Sequence, residues 1–513
     1  MFFLIFLLGI LVRLFVFVNT FIINPDGALY IHQARAIYYG EWENLTTCSG
    51  MSYLSIYPFF IAGAYTIFHN WIIAAKSISF FFGIITLVPA YLILRRFFDE
   101  KISALSTLTF SLIPVFVCGS ADIIKGPIYW FFLTMGLYFF INQVNEHKYR
   151  LSLFLCCLSF LIAASTRIES ILFIIVSCLF LVAVRQEKRI EKLAFFVLPV
   201  VIFLIFVFFG SLFYGFSIKG IFRINEVIDK LSMSIFEYKH LRVILAELIN
   251  HPPAGVSRFF FEIVRNLVWL IALGTVFVYI VKVFFYPFFL IFITGIGGIR
   301  LRIREDRRIL YLVSLSLSSM ILLYFHILQT WMISRRFLML FVLPSLIFLG
   351  FGLEKITGFL KSRFKLNSRM SLVIVCLFIL LSGLAKDLRP REFDKLVFKE
   401  IGKFIAEREG ISEVIQVVSS LHTVRWISFY SNLYYPGSPC PQPYNSFTEI
   451  IGINYKQFVN NLRIRGMEYF LWEEKHFLRD QFDFIKHYNT DDFEKIRSWE
   501  HRDTGKLILF RVK

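Results

Sequence analysis

Apolar positions along this chain are continuous where a soluble helix or strand would interrupt them. Segments 1–23, 194–212 and 371–385 run with few polar breaks. A helix of about 20 such residues crosses roughly 30 Å of hydrocarbon. In lipid only helices and closed barrels satisfy their own backbone, and the alternating pattern of a barrel strand is absent. The pattern predicts an α-helical polytopic membrane protein. Its spans fall near 2–22, 73–94, 103–119, 126–142, 151–165, 169–184, 193–214, 267–294, 309–326, 337–352 and 370–385, about 11 in all.

Charge decides the count and the sidedness, because short cytoplasmic loops carry the excess of Lys and Arg. With these spans, one set of short loops holds Arg95, Arg96, Lys101, Lys148, Arg150, Arg185, Lys188, Arg189, Arg302, Arg304, Arg307, Lys361, Arg363 and Lys365, among others. The opposite short loops hold only Lys125, Arg167, Arg335 and Arg336. The first set is therefore expected in the cytoplasm. Segment 55–72 is apolar, but making it a span would invert every later loop, so it reads as interfacial helices with Tyr57 and Trp71 at headgroup depth. Segment 267–298 is long for one span and short for two; one tilted span containing Lys282 and Pro287 keeps the parity.

Residues 1–385 are thus expected to form a membrane domain with outer loops at about 23–72 and 215–266. Residues 386–513 form a soluble extracytoplasmic tail. The tail turns polar, with helical pattern over 396–407 and strand-like runs at 413–419, 467–472 and 507–512. That predicts a small C-terminal α/β domain. No internal repeat and no low-complexity segment is visible.

Composition sharpens this only slightly. The hydrophobic fraction is 57%, and 63 of 513 residues are Phe, most simply packing against lipid and neighbouring helices. A net charge of +18 would point to nucleic acid in a soluble chain. Here the cytoplasmic loops absorb it, and no nucleic-acid partner is expected. Of seven cysteines, Cys118, Cys156, Cys157, Cys178 and Cys376 lie in or beside apolar runs as small hydrophobes. Cys48 and Cys440 lie in outer segments, where a pairing between them is open. No cysteine spacing suits a metal, and no metal ligand is assigned. The first run lacks a small-residue cleavage site and reads as a retained anchor.

Candidate chemistry begins where the first span ends, at Asn24, Pro25, Asp26 and Gly27, followed by Tyr30, His32, Gln33, Ala34, Ala36 and Gly40. Pro25 and Asp26 open an amphipathic helix expected to lie on the membrane. Asp26 is either the N-cap of that helix or a functional carboxylate; polar groups held at a bilayer edge tend to be functional. Lys125, Arg167 and Arg336 are positive charges on the side where such charges are disfavoured. As alternatives to a ligand-binding role, they snorkel to headgroups or pair with Asp122 and Glu169. Arg335 and Arg336 are adjacent, so at most one faces a site. His326 and the cations Lys219, Arg223, Lys230, Lys239, His240 and Arg242 are weaker candidates. Asn44, Leu45 and Thr46 fit a glycosylation sequon.

The Asp-x-x-x-Tyr pattern of Asp26 and Tyr30 resembles the first outer loop of the GT-C superfamily of lipid-linked-sugar glycosyltransferases, above all the protein O-mannosyltransferase and aminoarabinose (lipid A) transferase group. Tyr57-Pro58 and the later Leu92-Ile93-Leu94-Arg95-Arg96 are similar to that group's second-span region. Thr166-Arg167-Ile168-Glu169 resembles its TRxE turn, Arg336-Phe337-Leu338 through Pro344 its next conserved span start, and Lys506 to Val512 its last outer strand. Two departures stand out. Gly27 follows Asp26 where the family often has a second acid, and Gly126 stands where it often has another, with Asp122 one turn earlier. Metal dependence and subfamily stay open accordingly.

The resemblance implies transfer of a sugar from a polyprenyl-phosphate donor, undecaprenyl or dolichyl, to a glycan, lipid or protein acceptor on the extracytoplasmic side of a bacterial inner membrane. In that reading Asp26 is the general base, and Tyr30, Asp122, Lys125, Arg167, Glu169 and Arg336 bind substrate. No cofactor is assigned, and a divalent metal is left open. Two other classes compete: a transporter or flippase of lipid-linked glycans, for which Arg13 and Lys282 would be the mid-span charges, and a non-enzymatic cell-envelope assembly protein.

Overall fold

The continuous apolar runs fold as helices in the computed structural model. It describes residues 1–46, 48, 54–143, 149–184, 188–214, 224–297, 299–389, 391–421, 423–441, 450–477 and 482–513. Lys148, Arg185, Lys219 and Arg223 lie outside these residues. Among the described residues, six helices are long and apolar enough to cross a membrane: Trp71–Arg95, Tyr149–Thr166, Arg189–Gly210, Arg258–Phe284, Arg307–Thr330 and Ser368–Asp387. A seventh crossing is formed if Glu100–Ser111 and Pro114–Ala121 count as one span bent by 58°. The break falls at Pro114, which has no N–H to continue the ladder. The remaining predicted spans fall on Gly126–Gln143, on Leu346–Phe364, and on the shorter apolar helices Phe2–Val18, Ile168–Ala183 and Tyr286–Ile296.

One expectation needs correction. The stretch read as a single tilted span is two helices, Arg258–Phe284 and Tyr286–Ile296. They part at Phe285, whose φ is 69°, and Pro287 occupies the first turn of the second helix. Proline suits that position, where its missing N–H would be unsatisfied anyway.

The chain packs as two compact units, each assembled from separated stretches. The first comprises Met1–Leu14, Phe80–Ser120 and Lys125–Arg389; the second comprises Phe15–Ser79, Ala121–Ile124 and Pro390–Lys513. Within the first, helices approach to backbone contact where glycines allow it. A side chain on Gly295 would overlap the Phe348 carbonyl, and one on Gly352 the Ile291 carbonyl. Such small-residue contacts are how helices associate without a hydrophobic driving force between them. Arg13 is buried there, donating to the carbonyls of Gly9 (3.2 Å) and Ser111 (3.1 Å) and to Ser120 Oγ (3.2 Å). It braces the backbone. Lys282, by contrast, is exposed near the end of its helix.

The second unit holds a four-stranded sheet in the order β1-β2-β4-β3: β1 Val417–Val418, β2 Tyr469–Glu473, β3 Phe493–His501 and β4 Gly505–Val512. β1 pairs parallel with β2, and the other pairs are antiparallel. The helix Leu396–Glu409 and the strands β1, β2 and β4 fall where the sequence predicts them. β3 does not, because it is an edge strand carrying Glu494, Lys495, Arg497 and Glu500 with only Phe493 fully buried. Charge on an edge strand discourages further pairing and hides its strand pattern. One face of the sheet closes over an aromatic core of Phe458, Phe470, Phe477, Phe484, Phe493 and Phe510.

The helix Pro25–Tyr39 belongs to this second unit, and all ten residues from Gly27 to Ala36 are buried. The expected amphipathic pattern is not observed, because protein covers every side of the helix over these ten residues. Its polar residues are used up by backbone carbonyls. His32 contacts the carbonyls of Asn44 (3.0 Å) and Pro439 (3.2 Å), Gln33 donates to Leu45, and Arg35 donates to Asn432, Tyr435 and Gly437. Burial pushes the His32 imidazole below its usual range, and pushes Arg35 down to about 10. Cys48 and Cys440 form a disulfide with Cα atoms 5.6 Å apart, closing the pairing the sequence left open.

Candidate active site

Asp26 sits in the first turn of its helix, and it is not the cap. Asn24 is: its side chain accepts the Asp26 N–H at 3.0 Å. Capping therefore does not account for the carboxylate. Asp26 Oδ1 lies 3.3 Å from Arg425 Nη1, and its side chain keeps 36% of its surface exposed, enough to meet a substrate. Arg425 stands in the helix Val424–Ser431, almost 400 residues away in sequence.

The backbone entering Asp26 is gripped at Thr20, Phe21, Ile23 and Asn24. Lys76 Nζ donates to the Thr20 carbonyl at 2.7 Å, and Lys399 Nζ to that of Phe21 at 2.9 Å. Trp426 Nε1 donates to the Ile23 carbonyl at 2.7 Å, and the Ile23 N–H donates to the Tyr430 hydroxyl at 3.2 Å. The Asn24 N–H donates to Asp122 Oδ1 at 3.2 Å. Burial raises the Asp122 carboxyl above its usual range, with Glu392 adding to the rise and the two backbone N–H donors and Lys76 opposing it. These contacts fix the position of the backbone that carries the Asp26 carboxylate.

Gly27 explains the missing second acid. An added Cβ would lie 2.8 Å from Ile123 Cβ and 3.1 Å from the Ile123 carbonyl, so the helix start and the 121–124 turn are too close for any side chain. Tyr30 is buried, with its ring edge-on to Tyr57 at 5.4 Å. Tyr57 in turn bonds the Ala75 carbonyl and Ser79 Oγ.

The remaining predicted residues lie in the first unit. Arg167 is the residue before the short 3-10 turn Ile168–Ser170 and is buried, with its guanidinium 4.9 Å from the Phe337 ring centre and 5.9 Å from that of Tyr129. Its Nε has no hydrogen-bond partner. Lys125 is buried one turn before Tyr129. Arg335 is exposed and Arg336 partly buried, in keeping with only one of the pair turning inward. Phe337, next to Arg336, lines a cavity of about 260 Å³ together with Glu169, Leu172, Ser234, His326 and Gln329. His326 stacks on Phe337 at 4.7 Å. The walls are otherwise apolar, so the cavity suits a hydrocarbon chain with polar groups near one rim.

The structure thus groups Asp26, Tyr30 and Asp122 in one unit, and Lys125, Arg167, Glu169 and Arg336 in the other. Sequence reasoning missed Arg425, Lys76, Lys399 and Trp426. Only Lys76 left a signal, as a lone cation within an apolar run.

Comparison with known proteins agrees with this architecture. Residues 55–211 match the family described as dolichyl-phosphate-mannose-protein mannosyltransferase. ArnT from Cupriavidus metallidurans bound to undecaprenyl phosphate is similar at 13% identity and a TM-score of 0.58, over 98% of this chain and 97% of that one. The Archaeoglobus fulgidus oligosaccharyltransferase, in a complex with Zn and sulfate, is similar at 13% identity and TM-score 0.58, over 92% of this chain and 68% of that one. AglB from the same organism, bound to an inhibitory peptide and a dolichol-phosphate, gives 12% identity and TM-score 0.54, over 92% and 69%. Among curated protein sequences none matches the chain. The chain has the fold of ArnT and of the archaeal oligosaccharyltransferase.

Proposed function

We propose that this protein transfers a sugar from a polyprenyl-phosphate donor to an acceptor hydroxyl or amine. The observation that carries the reading is the apolar cavity beside the buried Arg167, whose guanidinium has an Nε with no hydrogen-bond partner. A hydrocarbon cavity with a buried arginine against one of its walls, Phe337, fits an amphiphile whose head is a phosphate. The relatives whose structures contain undecaprenyl phosphate or a dolichol-phosphate support the same ligand class.

In the reaction the bond between the anomeric carbon and the phosphate oxygen breaks, and its electron pair leaves with the phosphate. The acceptor heteroatom forms the new bond, and its proton passes to Asp26 as general base. Phosphate is already a good leaving group, so stabilising its growing charge matters more than protonating it. Arg167, Lys125 and Arg336 serve that role, Arg through its planar fork and Lys as a point charge. Glu169 and Asp122 orient these groups and the turn at Asn24, and Tyr30 shapes the acceptor side. The Cys48–Cys440 disulfide supports an oxidising, extracytoplasmic location for the first loop and the tail.

A transporter is less well supported. Arg13 is tied to backbone carbonyls and Lys282 is exposed, so neither serves as a mid-span charge on a pathway. Purified protein incubated with polyprenyl-phosphate sugars and candidate acceptors should consume the donor and release free polyprenyl phosphate. Translocation without consumption would refute the reading.

A further inference from the structure

We propose that the tail binds one divalent transition-metal ion, zinc by preference, between Asp394, His501 and Asp503. One nitrogen and two carboxylate oxygens of these residues lie within 4.8 Å of one another. The His501 side chain is only 5% exposed, and its Nε2 has no hydrogen-bond partner. That nitrogen faces Asp394 Oδ2 at 4.0 Å, too far for a hydrogen bond. Two atoms that each bind one zinc at about 2.0–2.2 Å lie up to roughly 4.4 Å apart, so the gap is the size an ion fills.

The surroundings prepare the imidazole for this. His501 Nδ1 lies 3.0 Å from Thr504 Oγ1. With Nδ1–H donating to that hydroxyl, Nε2 keeps its lone pair on the side of Asp394, the usual outer support of a metal-bound histidine. The Thr504 N–H, 3.2 Å from the same Nδ1, is the competing partner, and ion binding selects between the two tautomers. The ring packs 5.0 Å from Phe398, which limits its rotation. Asp503 occupies the turn between β3 and β4, closed by Gly505 at φ 74°. Asp394 belongs to the 3-10 turn Phe393–Lys395. The ion therefore joins the first turn of the tail to its last hairpin. Nitrogen and carboxylate ligands without thiolate suit Zn²⁺ or Mn²⁺, and zinc binds such a set more tightly. Water fills the remaining position.

Full-length protein in detergent, stripped with chelator and titrated with Zn²⁺ alone, tests this by calorimetry and by thermal melting. The parent should take up one equivalent at micromolar affinity or tighter and melt higher with zinc. Asp394→Asn and Asp503→Asn, both at exposed positions that tolerate substitution, should each weaken uptake by about 10–100-fold. His501→Ala should abolish it. Uptake undiminished in all three variants, no uptake by the parent, or only millimolar binding shared with Mg²⁺ would each overturn the assignment.

Discussion

Asp26 and Arg167 are both charged groups that follow apolar helices, Phe2–Val18 and Tyr149–Thr166, yet they are held in opposite ways. Asp26 hangs from a backbone in which three carbonyls and two amides are taken by distant side chains: Lys76, Lys399, Trp426, Tyr430 and Asp122. Arg167 is enclosed by aromatic rings and has a nitrogen without a partner. A carboxylate that must meet a proton at one point benefits from a rigid mount. A cation that must meet a bulky phosphate benefits from being desolvated and underbonded, because each contact it gains is then worth more. The difference separates positioning from binding, and substitutions can test the separation.

The largest expected effect is at Asp26. Asp26→Asn should lower transfer by about 10²–10⁴-fold while leaving donor binding largely intact, since an amide takes no proton. Because Asn24 holds the cap, helix stability should barely change; transfer within a few-fold of the parent would place the base elsewhere. Next, Arg167→Ala should weaken donor binding by about 10–100-fold, the worth of a hydrogen bond to a charged group. Lys at 167 should rescue only part of it, measured as Kd for a polyprenyl phosphate. Full rescue by Lys would mean that charge alone matters there.

Gly27→Ala tests the rigid mount directly. The added methyl meets Ile123, and melting should show destabilisation of about 1–3 kcal/mol. Trp426→Phe removes one grip on Ile23 and should cost about 1 kcal/mol, with a loss of turnover larger than any loss of donor affinity. The smallest effect concerns pH. With its carboxyl raised by burial, Asp122 favours the folded state when protonated, so its contribution to stability declines as pH rises through its folded-state value. Asp122→Asn should flatten that slope in melts taken across pH; an unchanged slope would assign it to another group.

The membrane helices were legible because their signal is local: an apolar run suffices. The break at Phe285 was not, since helix and broken helix share the same apolar composition. The mount of Asp26 was hidden for a different reason. The helix opened by Pro25 and Asp26 read as an amphipathic surface helix, and only carbonyls contributed from residues 44–45 and 432–439 turn its His32, Gln33 and Arg35 inward. Arg425 was unreadable as a partner of Asp26 for the same reason. The cysteines fell between these cases: position singled out Cys48 and Cys440, while only the fold could join them. Gly27 looked like a departure from a motif, and steric contact with Ile123 accounts for it.

The interior helix Pro25–Tyr39 also sets a clock on biogenesis. Arg35 finds its carbonyl partner 397 residues later, at Asn432. At a synthesis rate of about 5–20 residues per second, roughly 20–80 s pass between the two leaving the ribosome. Throughout that interval a helix destined for an interior waits with its arginine, histidine and cysteine-bearing flank uncovered. The nascent chain must therefore rely on the bilayer surface or a chaperone to shelter this segment until its last quarter has been delivered.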